Sequence, residues 1–243
     1  MGACIPGFSN ARDIGGLPLH SGGTTAHGAV VRSETPTNYR LPRNAGSMPK
    51  FSRVLDLRSI EEAGALAHPF ADDAVYRLRP LIDPAAEALR DPESETTLGA
   101  IYRGSVKRNR ATIAAIMLEI SEAPQGTILI SCASGKDRTG MIIALLLRLA
   151  GVTDEAIGED YERTEHNMRE VFTQPLRDAP DDTSHERRKY LQNARAENIE
   201  QMLHHIDEIY GSVEQYLSTI GLSQDQVDRL CARLLAPVPE RAL

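Results

Sequence analysis

Apolar residues follow two rhythms along this chain. Short apolar runs at Ala29-Val30-Val31-Arg32, Val54-Leu55-Asp56-Leu57, Val75-Tyr76-Arg77-Leu78 and Thr127-Ile128-Leu129-Ile130 predict buried strands. Between Ala111 and Glu122, Ile113, Ile116, Met117 and Ile120 recur at helical spacing, which predicts a helix with one face on a core. Met141-Ile142-Ile143-Ala144-Leu145-Leu146-Leu147 predicts a buried helix; Arg148 interrupts it before Leu149-Ala150, well short of a membrane span. Ser59-Ile60-Glu61-Glu62 is a capping box that starts a short helix, and Ser223-Gln224-Asp225-Gln226 caps a last one, Val227 to Leu235. Alternating buried strands and amphipathic helices predict an α/β fold: a single domain with a central, mostly parallel sheet flanked by helices. In such sheets the ligand site lies at the carboxyl ends of the strands.

Polar stretches complete the outline. Residues 1–50 hold Gly15-Gly16, Gly22-Gly23, Pro36, Pro42 and Pro49, and predict turns and short strands. From Asp154 to Tyr210 the chain is highly charged and helical, with a break at Pro175-Leu176-Arg177-Asp178-Ala179-Pro180-Asp181-Asp182. The domain is expected to run over 1–235, with Ala236-Pro237-Val238-Pro239 opening a frayed tail over 236–243. Lys107-Arg108-Asn109-Arg110, and likewise Arg77 and Arg79, read as solvated charge, or else as contacts for an acidic peptide or phosphoinositide headgroup.

The chemistry concentrates between the fourth predicted strand and the buried helix. Ser131-Cys132-Ala133-Ser134-Gly135-Lys136-Asp137-Arg138-Thr139-Gly140 puts a cysteine six positions before an arginine, with five residues between them, in a glycine-containing strand-to-helix turn. Such a turn aims successive backbone N–H groups and the positive end of a helix dipole at one point, which suits an oxyanion. The phosphate-binding residues are expected to be Ala133, Ser134, Gly135, Lys136, Asp137 and Arg138. The same donors, with Arg138, are expected to favour the thiolate of Cys132, a good nucleophile. Arg138 has a planar fork that can hold two phosphoryl oxygens, which lysine cannot copy. Phosphoryl transfer to Cys132 would form a phosphocysteine, and the leaving oxygen then needs a proton from a nearby carboxylic acid. Asp137 is nearest in sequence, with Asp83 and Asp56 as the other candidates. The Thr139 hydroxyl could donate to the sulfur as it leaves in the second step. A nucleotide-binding loop is excluded, because it would need glycine at position 130 and Ser or Thr at 137, where this chain has Ile130 and Asp137.

This loop resembles that of the protein tyrosine phosphatase superfamily, and its Gly-Lys-Asp-Arg-Thr-Gly form resembles the bacterial and fungal branch that includes the mycobacterial phosphatase B type. Three further segments are similar to that branch: Ser9-Asn10-Ala11-Arg12-Asp13-Ile14-Gly15-Gly16 with Val31-Arg32-Ser33; Val54-Leu55-Asp56-Leu57-Arg58-Ser59; and a second half holding Ala150-Gly151-Val152, Asp160-Tyr161 and Tyr210-Gly211-Ser212-Val213-Glu214-Gln215-Tyr216-Leu217. The resemblance implies Cys132 as nucleophile, Arg138 as phosphate clamp and Asp137 as general acid within the loop. It implies a phosphorylated protein or phosphoinositide as substrate, with phosphotyrosine leading. It also implies that the helices within 153–211 can cover the site as a lid; a plain outer helix pair is the simpler reading. The chain departs from the superfamily at Ser131, where a histidine is usual; a serine hydroxyl can still brace the loop. A phospho-binding protein with little turnover is the rival reading, and sulfur transfer or arsenate reduction a more remote one.

Composition narrows the setting. With 243 residues, 41% of them hydrophobic, the chain can bury a full core. A net charge of −7 argues against a nucleic-acid partner, since phosphate backbones require a broad basic face. Cys4, Cys132 and Cys231 are odd in number and widely spaced, which suggests neither a disulfide framework nor a zinc site and fits a reducing compartment. His204 and His205 are adjacent, so on a helix they point in different directions; with His166 they give no expected metal site, and the chemistry needs no cofactor. Met1-Gly2-Ala3-Cys4 suggests lipidation only superficially, because Pro6 stands where a myristoylation signal needs Ser or Thr. The expectation is a cytoplasmic protein without integral membrane association, although members of the resembled branch can be exported without a visible signal.

Overall fold

The structure is a computed structural model that describes residues 5, 7–36, 50–177 and 181–235. The expectations for Cys4, Pro42, Pro49 and the 236–243 tail lie outside these residues. Strands β1 (Arg12–Asp13), β2 (Val30–Glu34), β3 (Arg53–Asp56), β4 (Tyr76–Leu78) and β5 (Ile128–Cys132) form one sheet in the order β1-β2-β5-β3-β4. The pairs β2·β5, β5·β3 and β3·β4 are parallel, and the two-residue β1 is antiparallel to β2. The mostly parallel sheet expected from the apolar runs is therefore present. β5, which ends at Cys132, is its central strand.

Strand alternation divides the core. Val30, Leu55, Ile128 and Ile130 face a large apolar layer, while Val31, Val54 and Leu129 face a smaller cluster with Ile5, Phe8, Phe51 and Phe70. Helix α1 (Ile60–Ala65) begins at the predicted capping box, with Ser59 and Glu62 each bonding the other's backbone N–H. A short α2 (Pro84–Glu87) leads to α3 (Leu98–Arg108) and α4 (Arg110–Ser121). In α4 the buried residues include Ile113, Ile116, Met117 and Ile120, as the spacing predicted. α5 (Asp137–Leu149) follows β5 directly and buries Met141 through Leu147. Its first turn is Asp137-Arg138-Thr139-Gly140, four residues ahead of the apolar run, so the polar loop itself opens the helix.

The second half is helical: α6 (Asp154–Asn167), α7 (Arg169–Arg177), α8 (Asp182–Gln192), α9 (Ala196–Tyr210), α10 (Val213–Thr219) and α11 (Gln224–Leu235). α9 packs along α3, α5 and α6, and α11 against α4 and α5, so this half completes the large core. α7 and α8 pack on each other, and α8 buries no residue.

The run Lys107-Arg108-Asn109-Arg110 is not a free basic loop. Lys107 and Arg108 close α3, Asn109 is buried between α3 and α4, and Arg108 pairs with Glu95 and Glu87. Arg79 bonds Glu119 of α4 at 2.8 Å, and Arg77 lies 3.9 Å from the same carboxylate. Among the described residues, no helix is long and apolar enough to cross a membrane.

Candidate active site

The loop after β5 is shaped from behind. The Thr35 N–H donates to the carbonyls of Cys132 and Ala133, at 2.7 and 3.3 Å. Asn10 Nδ2 donates to the Ser134 carbonyl at 2.9 Å, and Arg32 Nη2 to the Gly135 carbonyl at 2.6 Å. All four carbonyls from 132 to 135 are thus held on the scaffold side, which turns the intervening N–H groups toward the opposite, open side. Gly135 has φ of +68°, and a Cβ there would lie 2.5 Å from the Ser33 backbone, so only glycine fits this close approach. α5 begins at Asp137 with no side-chain cap from Lys136, which leaves its first N–H groups available to an anion.

The scaffold beneath is a buried ion cluster. Arg32 and Arg12 both bond Asp160, and Arg12 reaches Thr164 and Asn10 as well. Burial, with Arg32 alongside, draws the Arg12 guanidinium down to about 10. Burial would raise the Asp160 carboxyl, but the two arginines outweigh it and hold it at about 2. Glu34, register partner of Cys132, receives the N–H groups of Ser9 and Asn10; burial raises its carboxyl above the usual range. Removing one partner from such a buried set leaves an uncompensated charge, at a cost of about 3–5 kcal/mol.

Cys132, the last residue of β5, is buried where the loop begins. Arg138, in the first turn of α5, donates from its two terminal nitrogens to both oxygens of Glu62. Burial opposes its charge, but Glu62, Cys132 and Asp137 outweigh that and keep the guanidinium charged. The Arg138 hydrogen bonds hold the Glu62 carboxyl at about 2. Asp137 accepts a hydrogen bond from Tyr102 and lies 3.3 Å from Lys136 Nζ. Lys136 is buried; its ammonium donates to the carbonyls of Leu191 and Asn193, where α8 ends. Thr139 Oγ1 is buried with no hydrogen-bond partner.

The other two aspartates are placed elsewhere. Asp56 is fully buried, bonded by Arg58 through Nε and Nη2 and by the Tyr76 hydroxyl at 2.9 Å. It is enclosed and already paired, so it has no route to a leaving group. Asp83 caps α2 by accepting the Ala85 N–H at 2.9 Å, so its carboxylate serves that helix. Ser131 points to the smaller face of the sheet, where its Oγ donates to the Leu55 carbonyl at 3.3 Å and lies 3.1 Å from His68 Nε2. His68 Nδ1 accepts the Phe70 N–H, so the neutral ring carries its proton on Nε2 and donates to Ser131. A histidine therefore stands behind the loop after all, delivered from position 68.

These residues belong to a recognised class. The chain matches the tyrosine phosphatase family over residues 3–236, and it belongs to that family. A tyrosine-protein phosphatase of Nostoc commune is 29% identical over 153 residues, 57% of this chain and 49% of its own. The triple specificity protein phosphatase PtpB of Mycobacterium tuberculosis is 30% identical over 148 residues, 55% of this chain and 53% of its own. This chain thus spans about half the length of both. A Cupriavidus necator protein named as a candidate tyrosine-protein phosphatase is 27% identical over 227 residues, 86% of this chain and 80% of its own.

Proposed function

We propose that this protein hydrolyses phosphate monoesters through a phosphocysteine on Cys132, with phosphotyrosine in proteins as the leading substrate. The observation that carries this reading is the loop itself: four carbonyls tied behind it, N–H groups and Arg138 in front, and Cys132 where it begins. Cys132 Sγ, as thiolate, attacks phosphorus while the loop N–H groups and Arg138 bind the equatorial oxygens. The ester P–O bond breaks, and Asp137 gives its proton to the departing oxygen. Water then attacks the phosphocysteine, Asp137 takes a proton from that water, the S–P bond breaks and inorganic phosphate leaves. Thr139 Oγ1, buried and unpartnered, supplies a hydrogen bond to the departing sulfur. Lys136, buried beside Asp137, adds positive potential there, and α7–α8 form the lid.

The relative from Mycobacterium tuberculosis is named for triple specificity, which favours a broad range here; phosphoserine, phosphothreonine and phosphoinositides, implied by the resemblance of the loop, are the competing substrate classes. The test is release of inorganic phosphate from an aryl phosphate, followed by rates on phosphotyrosine, phosphoserine and phosphothreonine peptides and on phosphoinositide monophosphates. Cys132→Ser is expected to abolish release while still binding phosphopeptide. If the wild-type protein binds phosphopeptide and releases no phosphate, it is a phospho-binding module and the enzyme reading falls.

A further inference from the structure

Two buried tyrosines from distant parts of the chain converge on one oxygen of Asp137. Tyr102 on α3 donates its phenol hydrogen to Asp137 Oδ1, and the Tyr161 hydroxyl, on α6, lies 2.7 Å from that of Tyr102. The rings meet edge to face, with centroids 6.4 Å apart. Both tyrosines are almost wholly buried, at 2% and 1% exposure, whereas the Asp137 side chain is 41% exposed at the edge of the loop. If the pair served only to pack the core, two phenylalanines would do, and two buried hydroxyls would have no reason to sit there. Here each hydroxyl is satisfied, and the chain ends on the carboxylate.

The direction of the hydrogen bonds follows from the groups. A carboxylate only accepts, so Tyr102 is the donor to it, and the Tyr102 oxygen is left to accept from Tyr161. Donors in series polarise one another and strengthen the last bond. Burial, reinforced by the charge of Asp137, pushes both phenols above their ordinary range, so both keep their protons wherever the protein is folded. Lys136 also approaches Oδ1, at 3.3 Å. Both anchors therefore fall on one oxygen, and Oδ2 remains to carry a transferable proton.

We propose that Tyr102 and Tyr161 are positioning residues for the acid step: they fix Asp137 through Oδ1 so that a proton on Oδ2 faces the leaving oxygen. The inference deepens the phosphatase reading and rests on it. No proton passes through the tyrosines, which hold the carboxyl group in place while Asp137 alone gives up and regains its proton.

The test compares kcat/KM for 4-nitrophenyl phosphate, whose phenol leaves easily, with that for phenyl phosphate, whose phenol leaves poorly. Acid assistance matters only for the second. Asp137→Asn is expected to lower the phenyl phosphate value by about 100-fold and the other far less. Tyr102→Phe should lower the phenyl phosphate value by about tenfold and Tyr161→Phe by about threefold, as expected for one direct and one indirect hydrogen bond, with little change on the activated ester. Equal losses on both esters would mark the tyrosines as structural and overturn the proposal, as would no loss on either. If Asp137→Asn spares the ratio while Cys132 remains essential, the acid is elsewhere and this inference fails alone. If wild-type protein releases no phosphate, the phosphatase reading fails with it. Should Tyr102→Phe not fold, Tyr161→Phe decides, because it reaches Asp137 only through Tyr102.

Discussion

Glu62 serves two structures with one carboxylate. Its Oε2 accepts the Ser59 N–H at 2.8 Å and closes the capping box of α1, while both its oxygens hold the terminal nitrogens of Arg138. That end-on pairing takes one hydrogen from each terminal nitrogen, so Nε–H and the outer hydrogens remain for phosphoryl oxygens. Glutamine also closes a capping box, so Glu62→Gln should leave α1 intact and remove only the charged partner of Arg138. With a charged hydrogen bond contributing about 1.5–3 kcal/mol, kcat on an aryl phosphate should fall about tenfold or more, and the thermal midpoint should drop as well because the same ion pair stabilises the fold. An unchanged kcat would mean that the loop alone orients Arg138. Cys132, Asp137 and Arg138 could be read from the sequence because a single local turn carries them. Asn10, Arg12, Glu62, Tyr102 and Asp160 could not, since only the folded chain brings them to the loop. Arg32 left a signal: it closes the apolar run of a strand expected to be buried, and a charge there needs a buried partner.

At the scale of elements, α8 is tied to the loop by two polar contacts. Lys136 donates to the carbonyls of Leu191 and Asn193, at the negative end of the α8 dipole, and the Tyr190 hydroxyl accepts the Leu98 N–H at 3.1 Å. That N–H belongs to the first residue of α3 and has no partner within its own helix. Tyr190→Phe removes the acceptor and about 1 kcal/mol, so trypsin cleavage at Arg187, Arg188 or Lys189 should become about fivefold faster. An unchanged rate would show that Tyr190 does not hold α8 against α3. α3 shows where the reading of elements fell short. Leu98, Tyr102 and Val106 do recur at intervals of four, but Gly99, Gly104 and Ser105 dilute the pattern and Lys107-Arg108 give its end the look of a loop. What makes it a helix is burial of that stripe against α9, a contact no local window contains. β1 escaped for the opposite reason: with two residues it has no periodicity to detect.

Across the whole molecule, the ionisable groups behind the loop make folding sensitive to acid. His68 packs against Phe70 and Tyr76, bonds Ser131 of the central strand, and is only 3% exposed. Burial, aided by Arg58 and only partly opposed by Asp56, lowers its imidazole from 6.5 to about 4. The unfolded chain therefore binds a proton between these values that the folded chain refuses. Stability from this residue is complete above pH ~6.5 and is lost as pH falls toward ~4. By pH 4.5 the loss should reach about 2.5 kcal/mol, a large share of the margin of a typical domain. Below that, Asp160 and Glu62, both held at about 2 by arginines, add their own losses in the same direction as they take up protons. Glutamine at position 68 can still donate to Ser131 but cannot titrate. Urea unfolding of wild-type and His68→Gln protein at pH 7 and pH 4.5 should show a loss about 2.5 kcal/mol smaller in the variant. Equal losses would show that His68 does not carry the acid sensitivity.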